Sequence, residues 1–195
     1  MSDAPERDDF AELYRRFYEL PESTRAEIVA GEVRVMPRPR PRHVRSASRL
    51  GSLLDNVFGF DSDGPGGWVI LDEPEIRFGE ELRNPDLAGW RADRYEEPDD
   101  GPYVVIPDWI CEVLSPRTAQ VDRGEKMPLY ARHRVEHLWL VDPDAKTLEV
   151  YRPEGELWLA LVTHGGEARI RVEPFESVEL DLGALWRKPG GRGPR

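Results

Sequence analysis

The chain has 195 residues, 38 Asp or Glu against 27 Lys or Arg, a net charge of −11 and a single cysteine. That length supports a sizeable core in one domain. A lone cysteine excludes an internal disulfide and a cysteine-based zinc site, and the acidic total argues against tight, non-specific coating of nucleic acid.

No apolar run approaches the ~18 residues of a membrane-spanning helix. The acidic start MSDAPERDDF lacks the apolar stretch of a secretory signal, so a cytoplasmic protein is expected. Phe10, Leu13, Tyr14, Phe17 and Leu20 recur at spacings of three and four and predict a helix over 6–20, with Asp8 or Asp9 in its first turn and Pro21 ending it. AEIVAGEVRVM (26–36) alternates about Ala30-Gly31 and predicts a hairpin. PRPRPR (37–42) is extended, because each proline disfavours helix in its predecessor. A second helix is expected over 43–58, with Val44, Ala47, Leu50, Leu54, Val57 and Phe58 on its apolar face and Arg42, Arg45 and Arg49 on another.

A turn-rich loop spans 59–67, and strands are expected over 68–78, 86–90 and 109–114, with the polar, proline-rich 91–107 as a loop. Asp122 and Glu125, at capping-box spacing, predict a third helix over 122–133. Pro128 falls early in it, where it removes a hydrogen bond or displaces the start. A strand over 137–141, a turn at PDAK and a hairpin of 148–151 with 157–163 across PEGE follow. Strands over 170–172 and 178–182 complete a β-rich C-terminal part. The order predicts a mixed α/β domain, helices packed on a sheet rather than a repeated βαβ chain. It covers residues 1–186, with 187–195 a disordered basic tail.

Charge is unevenly distributed. Six arginines (34, 38, 40, 42, 45 and 49) lie between Arg34 and Arg49 with no acid among them. Such an island can meet phosphate despite the acidic total; it also reads as a solvated surface.

Two carboxylates sit where burial is costly. Asp86 opens one apolar strand, and Glu112 lies inside another, WICEVL. A carboxylate there must be paired, protonated or metal-bound. If the strands are neighbours, two hard oxygens and a backbone carbonyl suit Mg²⁺ or Mn²⁺; a salt bridge to an arginine, or a place on the exposed face, is the other reading of Glu112. Cys111 reads as a packed core thiol. His133 and His137 are not assigned as metal ligands, because the helix is expected to end between them.

NPDLAGW (84–90), WICEVLSP (109–116), DRGEKMPLY (122–130), HLWLVDP (137–143) and TLEVYR (147–152), in that order and spacing, resemble the Uma-two family of PD-(D/E)XK restriction-endonuclease-like nucleases. The helix ending in ELPES, AEIVAGEVRVMP and PRHVRSASRLGSLLDN are similar to its opening segments, so the resemblance spans roughly 8–152. It implies a restriction-endonuclease-like core: a central mixed sheet flanked by helices, with extra C-terminal antiparallel strands. It also implies a Mg²⁺- or Mn²⁺-dependent endonuclease hydrolysing nucleic-acid phosphodiesters, DNA first.

Position by position, Asp86 matches the first acidic site and Glu112 the second, as metal ligands with the Val113 carbonyl. Leu114 stands where the superfamily carries its lysine, and Lys126 on the following helix takes that role. Lys126 also reads as a surface lysine paired with Asp122. The resemblance makes Glu32 a further acid at the metal, with Glu27 as competing candidate. It makes His43 a phosphate contact at a helix start, a backbone-bonded histidine being the other reading. Arg42, Arg45 and Arg49, with Arg38, would then guide the substrate backbone. Pro128, Ala26 and Ala30 depart from the family pattern. Two rivals stand beside the nuclease: a non-catalytic nuclease-fold module that binds protein or nucleic acid, and a metal hydrolase of smaller phosphoesters. A homodimer through exposed strand edges is a further expectation.

Overall fold

The computed structural model describes residues 6–188 apart from Glu22 and Phe60, with the backbone alone at 6–9. The residues from 189 onward, with most of the expected tail, and the side chains of Asp8 and Asp9 lie outside the described set.

Helix α1 (Glu6–Tyr18) leads into the hairpin β1 (Ala26–Val29) and β2 (Glu32–Val35), where Ala30 and Gly31 both take positive φ, 49° and 78°. That is the two-residue turn whose twist matches paired strands. Helix α2 (Pro41–Phe58) follows, then β3 (Trp68–Asp72), β4 (Ile76–Phe78), β5 (Glu81–Arg83), β6 (Leu87–Arg91) and β7 (Trp109–Val113). A helical segment comes next: α3 (Ala119–Val121), a π-turn (Asp122–Lys126) and α4 (Met127–Arg132). Strands β8 (His137–Asp142), β9 (Thr147–Glu154), β10 (Leu157–Gly165), β11 (Arg169–Ile170) and β12 (Leu180–Asp181) precede α5 (Gly183–Trp186).

The central sheet is mixed, in the order β10-β9-β8-β7-β6-β3; β7 and β8 run parallel across the helical segment, and the other pairs are antiparallel. Strand β7 is buried on both faces, as a strand next to a helical crossover must be. Trp109, Cys111 and Val113 join Leu50, Leu54 and Phe58 of α2 in one core. Ile110 and Leu114 join Leu129 and Tyr130 of α4 in the other. Glu112 shares the second set's parity and therefore faces α4. A separate sheet, β2-β1-β5-β4, carries the hairpin, and β11 pairs with β12. The C-terminal loop closes the first core: the Phe175 ring lies 4.8–5.5 Å from Phe58, Trp68, Trp109 and Trp139. Among the described residues no helix is long and apolar enough to cross a membrane.

Several elements depart from expectation. The strand predicted over 68–78 is two strands in two sheets, because Glu73 takes a positive φ of 49° and Pro74 has no N–H for the ladder. The chain leaves the central sheet after β3, makes the hairpin β4–β5 across Gly79-Glu80, and returns at β6. The capping box at Asp122 is not formed: the helical segment starts at Ala119, nucleated by bonds from Ala119 N–H to Ser115 O and from Asp122 N–H to Thr118 O. Helix α2 begins two residues early, with Pro41 in its first turn, where a missing N–H costs nothing. Its buried stripe runs through His43, Ser46, Leu50, Leu54 and Phe58, leaving Val44 exposed. The strands expected over 170–172 and 178–182 shrink to two residues each. Arg187 joins the fold through an ion pair with Asp181.

Candidate functional site

A cleft of about 420 Å³ opens between α1, the segment 36–40, and the ends of β6 and β7. Its floor is built from residues that the sheet brings together. Strand β6 pairs with β7, Leu87 opposite Cys111, so Asp86 arrives beside Glu112. Asp86 Oδ2 accepts a hydrogen bond from Val113 N–H at 2.7 Å, and Asp86 Oδ1 lies 2.7 Å from His43 Nε2 in the first turn of α2. Lys126 ends the π-turn and donates to both oxygens of Glu112, at 3.0 and 3.1 Å. Tyr130, one turn further, donates its hydroxyl to Glu112 Oε1 at 2.5 Å. Glu27 on β1 enters from the side: Lys126 Nζ is 3.4 Å away, Arg83 donates to Glu27 Oε2 at 3.2 Å, and Asn84 N–H to Oε1 at 3.2 Å. Asp122 lies 3.6 Å from Lys126.

The electrostatics follow from burial. Four carboxylates, Glu27, Asp86, Glu112 and Asp122, share this buried corner with two permanent cations, Lys126 and Arg83. Desolvation pushes Glu112 well above the ordinary carboxylate range; repulsion from Asp122 and Asp86 adds to it, and Lys126 and Tyr130 only partly offset it. Asp122 is raised too, again chiefly by burial. Burial pulls Lys126 down, but Glu112, Glu27, Asp122 and Asp86 outweigh it, so the ammonium is held above its usual value. Burial, with Asp86 and Glu112 nearby, pushes the Cys111 thiol well up, as suits a packed core thiol.

This donor set fits a hard divalent cation. Carboxylates outnumber permanent cations by two, and the Asn84 side-chain oxygen, at the cleft, is buried with no hydrogen-bond partner among the described residues. Mg²⁺ is commonly held by one or two carboxylates with water completing its shell. Asp86 and Glu112 can supply those two. Among the described residues no three His, Cys, Asp or Glu side chains already form a metal cage, which such a site does not require.

The structure thus brings together Asp86, Glu112, Lys126 and His43. It separates Glu32, which is exposed on β2 and turned to Arg34, 3.8 Å away. Glu27, on the other hairpin strand, is the acid that enters the site. Arg45 and Arg49 do not face the cleft: Arg49 donates to Ala184 O at 2.9 Å and Arg45 to Trp186 O at 3.5 Å, tying α2 to α5. Arg42 pairs with Asp144 at 2.7 Å on the outside. His43 meets a carboxylate rather than the backbone. The Lys126–Asp122 pair exists, but buried. Sequence reasoning missed Asp122 and Tyr130 as site groups, although Asp122, Lys126 and Tyr130 recur at a spacing of four. It also missed Arg117, at the rim.

Residues 8–183 match the Uma2 family, described as "Putative restriction endonuclease", and the chain belongs to that family. A solved structure from Anabaena variabilis ATCC 29413, described as a "putative nuclease belonging to DUF820", is 25% identical with a TM-score of 0.69, covering 88% of this chain and 96% of that one. No curated protein matches the chain.

Proposed function

We propose that this protein is a divalent-metal-dependent endonuclease that hydrolyses phosphodiester bonds of nucleic acid, DNA first. One observation carries the reading: Asp86 accepts from the N–H of the residue after Glu112, so two buried carboxylates and the Lys126 ammonium converge on the floor of one cleft. Asp86 and Glu112 would hold Mg²⁺ or Mn²⁺. When bound, such an ion neutralises phosphate charge and lowers the pKa of a coordinated water.

The chain's own groups supply the rest. His43 orients Asp86 through their 2.7 Å contact, as outer partners of metal ligands do. Lys126 stays charged because the surrounding carboxylates hold its proton. That favours a role in stabilising negative charge on the phosphate over a role as general base. Tyr130 and Lys126 fix the Glu112 carboxylate from two directions, and Glu27 holds Lys126 in turn.

The test is a cleavage panel over DNA and RNA, with parent and Asp86→Ala protein, each with and without Mn²⁺. Parent protein should cut only with the metal, and Asp86→Ala should be slower by about 100-fold or more. Equal rates for the two proteins would sink the assignment. Binding without cutting under every condition would favour the non-catalytic module, and cutting of mononucleotide phosphoesters alone would favour the smaller-substrate hydrolase.

A further inference from the structure

The shape of the cleft restricts which nucleic acid can reach its floor. Asp86, Glu112 and Lys126 are only 6, 2 and 4% exposed. Above them stand Phe17 and Tyr18 of α1 on one side and the extended, proline-rich segment 36–40 on the other. A volume of about 420 Å³ falls among clefts that enclose small ligands, roughly 300–1,000 Å³. The cleft is half-open to solvent, with its floor set between these two walls.

A continuous duplex is a stiff rod, with a persistence length of about 50 nm, and its backbone faces outward from a convex surface. To bring a phosphate to groups this deeply buried, it would have to drive α1 and the proline-rich segment apart. A single strand has no such obstacle. It bends at each nucleotide, offers base faces to aromatic rings, and follows a line of cations.

The walls have those features. Tyr18 is 48% exposed at the cleft. Arg38, Arg40 and Arg117 are exposed at the rim and make no ion pair with any described residue. In this they differ from Arg34, Arg42 and Arg25, which pair with Glu125, Asp144 and Glu73, and from Arg45 and Arg49, which bind α5.

We propose that the cleft takes single-stranded nucleic acid, as a free end, a flap or an unpaired loop, threaded between α1 and the segment 36–40. Tyr18 is the stacking platform, and Arg38, Arg40 and Arg117 guide the phosphates. This deepens the nuclease reading and rests on it for the chemistry, but the substrate class is tested separately by binding.

The experiment uses the full chain and three DNA probes of one sequence: a single strand, a duplex with an unpaired flap, and a covalently closed duplex circle. With Mn²⁺ the single strand and the flap should be cut at least tenfold faster than the closed circle. In binding titrations the single strand should bind at least tenfold more tightly than the duplex. Joint replacement of Arg38, Arg40 and Arg117 by Ser should lower the slope of log affinity against log salt by about 2, near 0.7 for each phosphate left without its cation. Tyr18→Leu should weaken single-strand binding about tenfold. Tyr18→Phe keeps the ring, removes the hydroxyl's bonds to Glu75 and Tyr14, and should bind as the parent does.

Cutting of the closed circle as fast as the single strand overturns the inference and leaves the nuclease standing. If no probe is cut, the nuclease reading fails, and binding still decides the substrate class. A single-strand preference, with binding that becomes weaker and less salt-dependent on arginine replacement, upholds it; equal binding of duplex and single strand overturns it.

Discussion

At the scale of the residue, Glu112 shows what burial does to a carboxylate. Its carboxylate lies inside a strand buried on both faces, and burial raises its pKa above the unfolded value. A carboxyl raised in the folded state binds its proton more tightly there, so ionisation costs stability as pH rises through the folded value; below the ordinary carboxylate range both states are protonated and the cost vanishes. Glu112→Gln keeps an acceptor for Lys126 and Tyr130 and removes the charge. Its stability should therefore fall less than the parent's as pH rises from 4 to 8 without metal. Thermal melts across pH check this, and identical melts at every pH would refute it.

Asp86, Glu112 and Lys126 were legible in the sequence because ionised groups stood in apolar surroundings or at matching motif positions. The choice between Glu27 and Glu32 was not. Those two acids lie on opposite strands of one hairpin, and which is covered depends on what packs against it. Here β5 pairs with β1 and buries Glu27, while Glu32 stays on the open strand. The arginine run was visible as charge, but its division into rim, outer surface and α5 contacts depends on where the C-terminal segment docks.

At the scale of the element, the helical segment after β7 resolves the question posed by Pro128. The π-turn closes with Met127 N–H on Asp122 O, and α4 restarts with Pro128 in its first turn, where no N–H is needed. The proline is absorbed without removing Lys126 from Glu112. Such π-turns recur at functional sites. Strand β7 was readable as an apolar run; its parallel pairing with β8 was not. The break after Asp72 was signalled by Glu73-Pro74 inside the run but was passed over because apolar residues flank it on both sides.

Helix α5 has four residues and cannot satisfy its own carbonyls, so Arg49, Ser46 and Arg45 of α2 do it. Arg49→Ala should cost about 1–3 kcal/mol, seen as a lower urea midpoint at unchanged slope. The cleavage rate of the remaining folded protein should match the parent's. A drop in rate with unchanged stability would instead put Arg49 back at the substrate.

At the scale of the whole molecule, the net charge of −11 is spread over the surface, but around the cleft it has a pattern. A surplus of two carboxylates lies at the cleft floor and three arginines without ion pairs among the described residues lie at its rim, so affinity for a polyanion should fall with salt and rise with a divalent ion. The larger core is organised around Phe175, which reaches four aromatic rings from α2 and three strands. Phe175→Ala should cost about 3–5 kcal/mol and lower Tm by about 6 °C or more. A change within 1 kcal/mol, by chemical denaturation, would show that the loop only rests on the sheet.

The position of Phe175 in the chain has a temporal consequence. The sheet is assembled from residues 68–165, yet the hydrophobic layer beneath it is sealed by a side chain that comes later still, with α5 behind it. During synthesis a chain halted at Gly165 holds every strand of the central sheet and leaves Trp68, Trp109 and Trp139 without their common neighbour. Translation must run on through the last strands before the nascent protein hides its stickiest surface. The interval between those two moments is when a chaperone has most to hold.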